Sequence, residues 1–213
     1  MKLYYYPLST YCQKVLIALY EKGIEFEGES LMLFDPEVRD QYREKYPLGK
    51  IPLLVDDDDH MVPESSIIIE YLDAKAKPLL IFGDADEQRQ IRFKDRMFDL
   101  YLLESIGTLF FQNMKPVSEQ DPERIEKAQF QIDKIYMFME MELEKQPFSC
   151  GSEFTMADCA AAAGLFYAGK VAPFDDRPFI KQYWERLCSM PSIQRVHDEA
   201  APHLAELEKR NAA

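Results

Sequence analysis

The sequence predicts an α/β domain with a mixed four-stranded sheet over residues 1–77, followed by an all-helical bundle over residues 84–213. Two observations lead to this prediction. Short aromatic and apolar segments of strand length occur only in the first part, where they alternate with helical patterns. After Gly83 the helical patterns become long and no further strand pattern is found. The segment 75–80 contains a proline and is the predicted linker.

The elements of the first domain follow from their periodicity and from the residues that bound them. Strands are indicated by short apolar or alternating segments, and helices by apolar residues at helical spacing. Gly23 is a typical C-terminal cap, and Asp35-Pro36 is a typical helix start. The predicted elements are strand 2–6, helix 10–22, strand 24–31, helix 36–46, strand 51–55, strand 60–62 and helix 64–76.

This order, β-α-β, then α, then β-β-α, is that of the thioredoxin arrangement. The first strand–helix–strand unit is expected to join two parallel strands. The turn 56–59 joins the last two strands as a hairpin, and its four consecutive aspartates are interpreted as a solvated loop.

The second domain is predicted from long apolar periodicities. Thr155 and Asp158 form a capping box at the start of a helix that is small and apolar on all sides, so this helix is expected to be buried. The predicted helices are 87–114, 121–145, 156–167, 179–189 and 192–200.

Composition and charge exclude several function classes. The chain has 213 residues, of which 47% are hydrophobic, and a formal net charge of −13 without a basic stripe. We therefore expect neither a nucleic acid nor a membrane as a partner. No apolar segment is long enough to span a bilayer and the N-terminus lacks the form of a signal peptide, which predicts a cytoplasmic protein. Four scattered cysteines and three distant histidines predict reduced thiols and no metal site.

Pro52 opens the predicted strand 51–55, where it cannot donate to the ladder of backbone hydrogen bonds. A cis Ile51–Pro52 bond resolves this conflict. It also turns the N–H and C=O of Ile51 out of the sheet, where they can pair with an extended peptide. A trans proline at the edge of the strand is the alternative.

Glu64 and Ser65 stand at the start of a predicted helix. Free N–H groups at a helix N-terminus bind carboxylates, and the serine hydroxyl adds a donor. Glu64 can accept a hydrogen bond from an ammonium group. Carboxylate and ammonium on one carbon describe the end of an α-amino acid. Simple capping of the helix by Ser65 is the alternative.

Ser9, Thr10 and Cys12 stand at the start of the first helix. A hydroxyl or thiol there lies in the positive field of the helix N-terminus, which favours a thiolate. A hydroxyl that donates to sulfur increases the thiolate fraction further, and with it the rate of nucleophilic attack. Capping by Ser9 or Thr10 is again the simpler alternative.

In a thioredoxin-like sheet these three loops meet at one end. One binds an extended backbone, one an amino-acid end and one a thiol, and together these properties describe glutathione. The chain resembles the cytosolic glutathione transferase superfamily over nearly its whole length. The resemblance is carried by residues 9–15, 49–52, 64–72 and the capping-box segment 154–158.

The resemblance implies roles for individual residues. Ile51, before the cis Pro52, pairs with the cysteinyl backbone of glutathione. Glu64 and Ser65 hold the γ-glutamyl end, and Lys50 approaches the glycyl carboxylate.

The residue that activates the thiol divides the family, and three candidates stay open. Serine-type members use a residue at the position of Ser9, with Thr10 as a substitute. Tyr5 is the tyrosine-type alternative. Cys12 is the third, since it stands where glutaredoxins carry their second cysteine.

The implied function is conjugation of the glutathione thiol to a small hydrophobic electrophile by a homodimer. The electrophile is expected between the domains, near Met97, Tyr101, Glu104 and Phe110. The alternatives are a glutathione-dependent disulfide or peroxide reductase, and a non-catalytic interaction protein resembling the stringent starvation proteins.

Overall fold

A computed structural model describes residues 1–211. The strands are β1 (Lys2–Tyr5), β2 (Glu27–Ser30), β3 (Leu53–Val55) and β4 (Met61–Pro63). The helices are α1 (Thr10–Glu21), α2 (Pro36–Lys45), α3 (Ser65–Asp73), α4 (Ala85–Met97), α5 (Glu104–Asn113), α6 (Pro122–Leu143), α7 (Met156–Val171), α8 (Pro178–Cys188) and α9 (Pro191–Asn211).

The four strands form one mixed sheet in the order β2-β1-β3-β4. β1 is parallel to β2 and antiparallel to β3, and β3 is antiparallel to β4. The helices from α4 onward form the second part of the fold. The predicted fold class, a thioredoxin-like domain followed by a helical domain, is confirmed.

Local sequence explains where several helices begin and end. Asp35 accepts a hydrogen bond from the N–H of Glu37, and Pro36 is the first residue of α2. Gly23 follows α1 with a φ of +60°, a left-handed conformation that suits glycine. The capping box before α7 is present, and the Asp158 carboxylate accepts from the Thr155 N–H at 2.8 Å.

The core continues across both domains and centres on α7. This helix is buried along most of its length and packs against α1, α4 and α5. Gly164 is needed for this packing, because a Cβ there would lie 2.6 Å from Leu102 Cδ2. A smaller apolar cluster that includes Tyr4, Tyr42 and Leu53 covers the opposite face of the sheet, under α2.

The predicted helix 87–114 is interrupted in its backbone pattern. α4 and α5 are continuous, but residues Phe98–Leu103 between them form a π-helical segment. π-Helical turns are uncommon and are frequently found at functional sites. The long helix begins at Ala85, because Asp84 and Glu87 form a capping box there.

The prediction that the last helix ends near residue 200 is wrong. α9 runs to Asn211 with Pro202 inside it. A proline interrupts helical hydrogen bonding, but here the neighbouring His203 and Leu204 make tertiary contacts that hold the following turn. Residues 212 and 213 of the predicted second domain lie outside the described residues. No helix in the described range 1–211 is both long and apolar enough to cross a membrane.

Candidate active site

A cavity of about 880 Å³ lies between the two domains. Loops of the first domain form one wall, and α5, α7 and the end of α9 form the other. Residues that line it include Tyr6, Ser9, Thr10, Tyr11, Phe34, Lys50 and Ile51 on the first wall and Glu104, Gly107, Phe110, Phe111, Tyr167 and His203 on the second.

Strand register explains why four loops meet on the first wall. Tyr4, near the end of β1, pairs with Leu53, the first residue of β3. Leu53 in turn pairs with Pro63, the last residue of β4. β2 ends beside β1, since Ser30 pairs with Tyr5. The segments that follow β1, β2 and β4 and the segment that precedes β3 therefore meet at one edge of the sheet.

Ser9 is the N-cap of α1 and lies half-buried in the cavity wall. Its Oγ accepts a hydrogen bond from the N–H of Cys12 at 3.4 Å. The loop before it is held from two sides. Gln13 donates to the Pro7 carbonyl at 2.9 Å, and the Tyr167 hydroxyl donates to the Leu8 carbonyl at 2.7 Å. A hydroxyl is thus fixed at the positive end of a helix, facing the cavity.

Tyr5 and Cys12 do not line the cavity. The ring of Tyr5 packs edge-on against Phe26 with centroids 6.5 Å apart, on the side of β2. Cys12 has no exposed surface, and burial raises the pKa of its thiol to about 12. The structure therefore brings neither of these two candidates to the cavity. The tyrosines that do line it are Tyr6 and Tyr11 from the first domain and Tyr167 from the second, and none of them was among the candidates from sequence.

The peptide bond between Ile51 and Pro52 is cis, as predicted. β3 begins only at Leu53, so Ile51 precedes the ladder and lies in the cavity wall. Its neighbour Lys50 is exposed, and the carbonyl of Lys50 accepts a hydrogen bond from Tyr42 at 2.8 Å. This segment therefore presents backbone groups and one cation to the cleft.

α3 begins at Ser65 without a side-chain cap, so the N–H groups of its first turn remain available to a ligand. Glu64, the residue before it, is exposed and has a φ of +68°. Positive φ is a strained conformation for a residue with a side chain, and such strain is found mainly at functional sites. Ser65 is buried. The hydroxyl of Ser66 accepts a hydrogen bond from Lys14 at 2.8 Å and donates one to Asp95 at 2.6 Å.

A buried ion cluster supports this end of α3. The ammonium group of Lys14 lies 2.7 Å from Asp95 and 2.9 Å from Asp99, and none of the three side chains is more than 6% exposed. Burial raises the pKa of Asp95, and the Lys14 charge opposes that shift. Asp99 belongs to the π-helical segment, and its carbonyl accepts a hydrogen bond from the cavity-lining Tyr11 at 3.5 Å. The cluster thus connects α1, α3 and the long helix directly behind the cleft.

The second wall combines aromatic rings with aliphatic and polar side chains. Glu104 and Phe110 line the cavity as predicted, whereas Met97 is buried in the core and Tyr101 is exposed outside the cavity. Sequence reasoning missed Phe34, Tyr167 and His203, which come from distant parts of the chain. His203 lies edge-on to Tyr6 with ring centroids 5.5 Å apart, so α9 reaches the cavity.

Comparison with known proteins agrees with this geometry. The family model described as "Glutathione S-transferase, N-terminal domain" matches residues 3–79, and the one described as "Glutathione S-transferase, C-terminal domain" matches residues 102–191. The chain belongs to the glutathione transferase superfamily.

Individual relatives of this superfamily are similar over nearly their full length. Glutathione S-transferase F13 of Arabidopsis thaliana is 28% identical over 207 residues, which cover 92% of this chain and 94% of the relative. Glutathione S-transferase hmp2 of Hypomyces subiculosus is 29% identical, with coverage of 88% and 92%. A glutathione S-transferase structure from Methylobacillus flagellatus, with glutathione bound, superposes with a TM-score of 0.83 at 26% identity, covering 92% of this chain and 98% of that one.

Proposed function

We propose that this protein is a glutathione transferase that joins the thiol of glutathione to a hydrophobic electrophile. The observation that carries the proposal is the meeting of four loops at one edge of the sheet, beside an aromatic cavity. Those loops supply a cis proline, an uncapped helix N-terminus and a hydroxyl at a second helix N-terminus. The superfamily to which the chain belongs supports the same activity.

The loop wall binds glutathione as an extended peptide. Ile51 pairs through its backbone with the cysteinyl residue, next to cis Pro52. Ser65 and the first turn of α3 bind the γ-glutamyl carboxylate, and Glu64 accepts from the ammonium group of the same residue. Lys50, which has no ion-pair partner in the described part of the chain, faces the glycyl carboxylate.

Ser9 activates the thiol. Its hydroxyl donates a hydrogen bond to the sulfur, and the N-terminus of α1 stabilises the negative charge of the thiolate. The thiol proton passes to solvent, the thiolate forms a bond to the electrophilic carbon, and the displaced group leaves with the electron pair of the broken bond. Thr10 lines the same cavity and is the substitute donor. The burial and raised pKa of Cys12 argue against a reductase mechanism through a protein thiol.

We infer a homodimer from exposed apolar side chains on both domains. Met61, Ile67 and Phe93 are exposed on β4, α3 and α4, where the Arg92–Glu70 ion pair at 2.9 Å connects the two helices. α6 carries further exposed apolar residues at helical spacing, namely Phe130, Met137 and Met141. A twofold axis would bury such a surface against its own copy. The four cysteines form no disulfide, which is compatible with a cytoplasmic location.

Two assays on the purified protein test the proposed function. Calorimetric titration should show saturable binding of glutathione, and chlorodinitrobenzene should be conjugated. Ser9→Ala should lower kcat about 100-fold, the size of effect seen when one preorganised donor to a developing anion is removed. Cys12→Ala is the control and should retain kcat. Absence of binding heat at millimolar glutathione would contradict the proposal, and equal loss of kcat in both variants would contradict the role of Ser9.

A further inference from the structure

Gly107 lies among apolar side chains on the helical wall of the cavity. Five cavity-lining residues recur along one face of the helix in the order Leu103, Gly107, Phe110, Phe111 and Met114. This face is the floor of the electrophile site, and Gly107 stands in the middle of it.

The space at Gly107 is open rather than tightly packed. A Cβ built on Gly107 meets no heavy atom within 4 Å. Gly164 in α7 is the contrast, because there a Cβ would collide with Leu102. Glycine destabilises a helix interior relative to alanine. No neighbouring atom fills the space beside Gly107. We call this space the recess, and it is available to a ligand.

Aromatic rings line the same cavity as Gly107. Phe34 from the first domain and Phe111 from α5 meet edge-on across the mouth of the cleft, with centroids 6.2 Å apart, although they are 68% and 49% exposed. Deeper in the cavity, Phe110 contacts Tyr167 edge-on at 5.0 Å. Exposed aromatic rings on opposite sides of a cleft favour a ligand that offers ring faces and edges of its own.

The size and charge of the cavity narrow the ligand class. Its volume of about 880 Å³, which glutathione on the loop wall and the electrophile share, lies in the upper part of the range that encloses drug-sized ligands, roughly 300–1,000 Å³. Apart from Lys50 on the glutathione side, two acidic residues, Glu104 and Glu206, and two basic ones, Lys115 and Arg124, line the cavity, so neither sign of charge dominates. An uncharged ligand with several rings fits this surface better than a single small ring.

We propose that Gly107 determines electrophile specificity, because its recess admits uncharged electrophiles with two or more fused rings. This inference rests on the proposed transferase function. Filling the recess should exclude the far ring of such a substrate while leaving glutathione, which binds the opposite wall, unaffected.

Graded substitution at position 107 tests this inference. Gly107→Ala and Gly107→Leu should lower kcat/KM for phenanthrene oxide by about threefold and at least about tenfold, equivalent to about 0.65 and 1.4 kcal/mol. With chlorodinitrobenzene both variants should lose less kcat/KM than with phenanthrene oxide, because a single ring covers less of the floor around position 107. Gly169→Ala is the matched control, since Gly169 is also a helical glycine with open space but does not line the cavity. It should raise thermal stability as Gly107→Ala does, without changing either substrate.

A binding measurement separates failure of this inference from failure of the proposed function. The pyrenylmethyl conjugate of glutathione should bind at least about tenfold more weakly to Gly107→Leu, with unchanged affinity for glutathione itself. Parallel losses with both electrophiles, unchanged activity with both, or equal binding of the conjugate would overturn the role of Gly107. A third outcome is that no protein reacts with either electrophile, but the pyrenylmethyl conjugate still binds more weakly to Gly107→Leu than to the parent protein. In that case the transferase proposal fails and the multi-ring binding site stands.

Discussion

The wall built by loops and the wall built by helices contribute different chemistry to the cleft. The loop wall presents backbone groups and short polar side chains, such as Ser9 and Thr10, at the ends of strands and helices, whereas Glu64 and Ser65 at the start of α3 lie outside the cavity lining. The helix wall presents rings and one glycine along a single face of α5. Backbone geometry positions the first wall, and side-chain identity shapes the second.

This difference indicates how each wall can change. A loop that binds through its backbone must keep one conformation. Behind the loop wall, the buried ion cluster of Lys14, Asp95 and Asp99 holds the elements that carry these loops in place. A helical face keeps its backbone when a side chain is replaced. We therefore expect substitutions behind the loop wall to affect folding and glutathione binding, and substitutions on the helix wall to affect the choice of electrophile.

The largest effect is expected from Lys14→Met. It removes the only cation of the cluster and leaves two carboxylates buried, which should cost about 3–5 kcal/mol in the free energy of unfolding. Urea denaturation measures this change. The control is Lys127→Met, which breaks the exposed Lys127–Glu123 pair and should cost less than about 0.5 kcal/mol. Similar costs for the two variants would show that the buried cluster does not support the loop wall.

Ser65→Ala tests the loop wall without disturbing the ion cluster. Loss of one hydrogen bond to the γ-glutamyl carboxylate should raise KM for glutathione about tenfold, while KM for the electrophile stays unchanged. Steady-state kinetics with each substrate varied in turn give both values. A rise in the KM for the electrophile alone would contradict the role of Ser65 in glutathione binding.

Tyr167→Phe should have the smallest effect, and it links the two walls. The Tyr167 hydroxyl reaches from the helical domain to the carbonyl of Leu8, next to Ser9. Its loss should cost about 1 kcal/mol in stability and lower kcat by a few fold, with KM for glutathione unchanged. Tyr136→Phe removes a similar bond, from a tyrosine to the Ala172 carbonyl at 2.7 Å, and should affect stability only. If kcat falls equally in both variants, Tyr167 does not position Ser9.

Much of the loop wall could be predicted from sequence because its signals are local. Pro52 opening a strand, Ser9 before a helix and Glu64-Ser65 before another helix each require a particular backbone arrangement. Most of the helix wall could not be predicted, because it depends on contacts between distant segments. Phe34 meets Phe111 only after the domains pack. α9 continues past Pro202 because of tertiary contacts, a case in which tertiary packing overrides local preference. The π-helical segment has no local signal in the sequence.

The pKa of the glutathione thiol in the bound state tests the role of Ser9 most directly. It can be followed by ultraviolet absorption of the thiolate as pH is raised, in the parent protein and in Ser9→Ala. Binding should lower the thiol pKa by at least about one unit from a free value of about 8.5, and Ser9→Ala should return it most of the way. An equal thiol pKa in the two proteins would contradict the assignment of Ser9 as the residue that holds the sulfur as an anion.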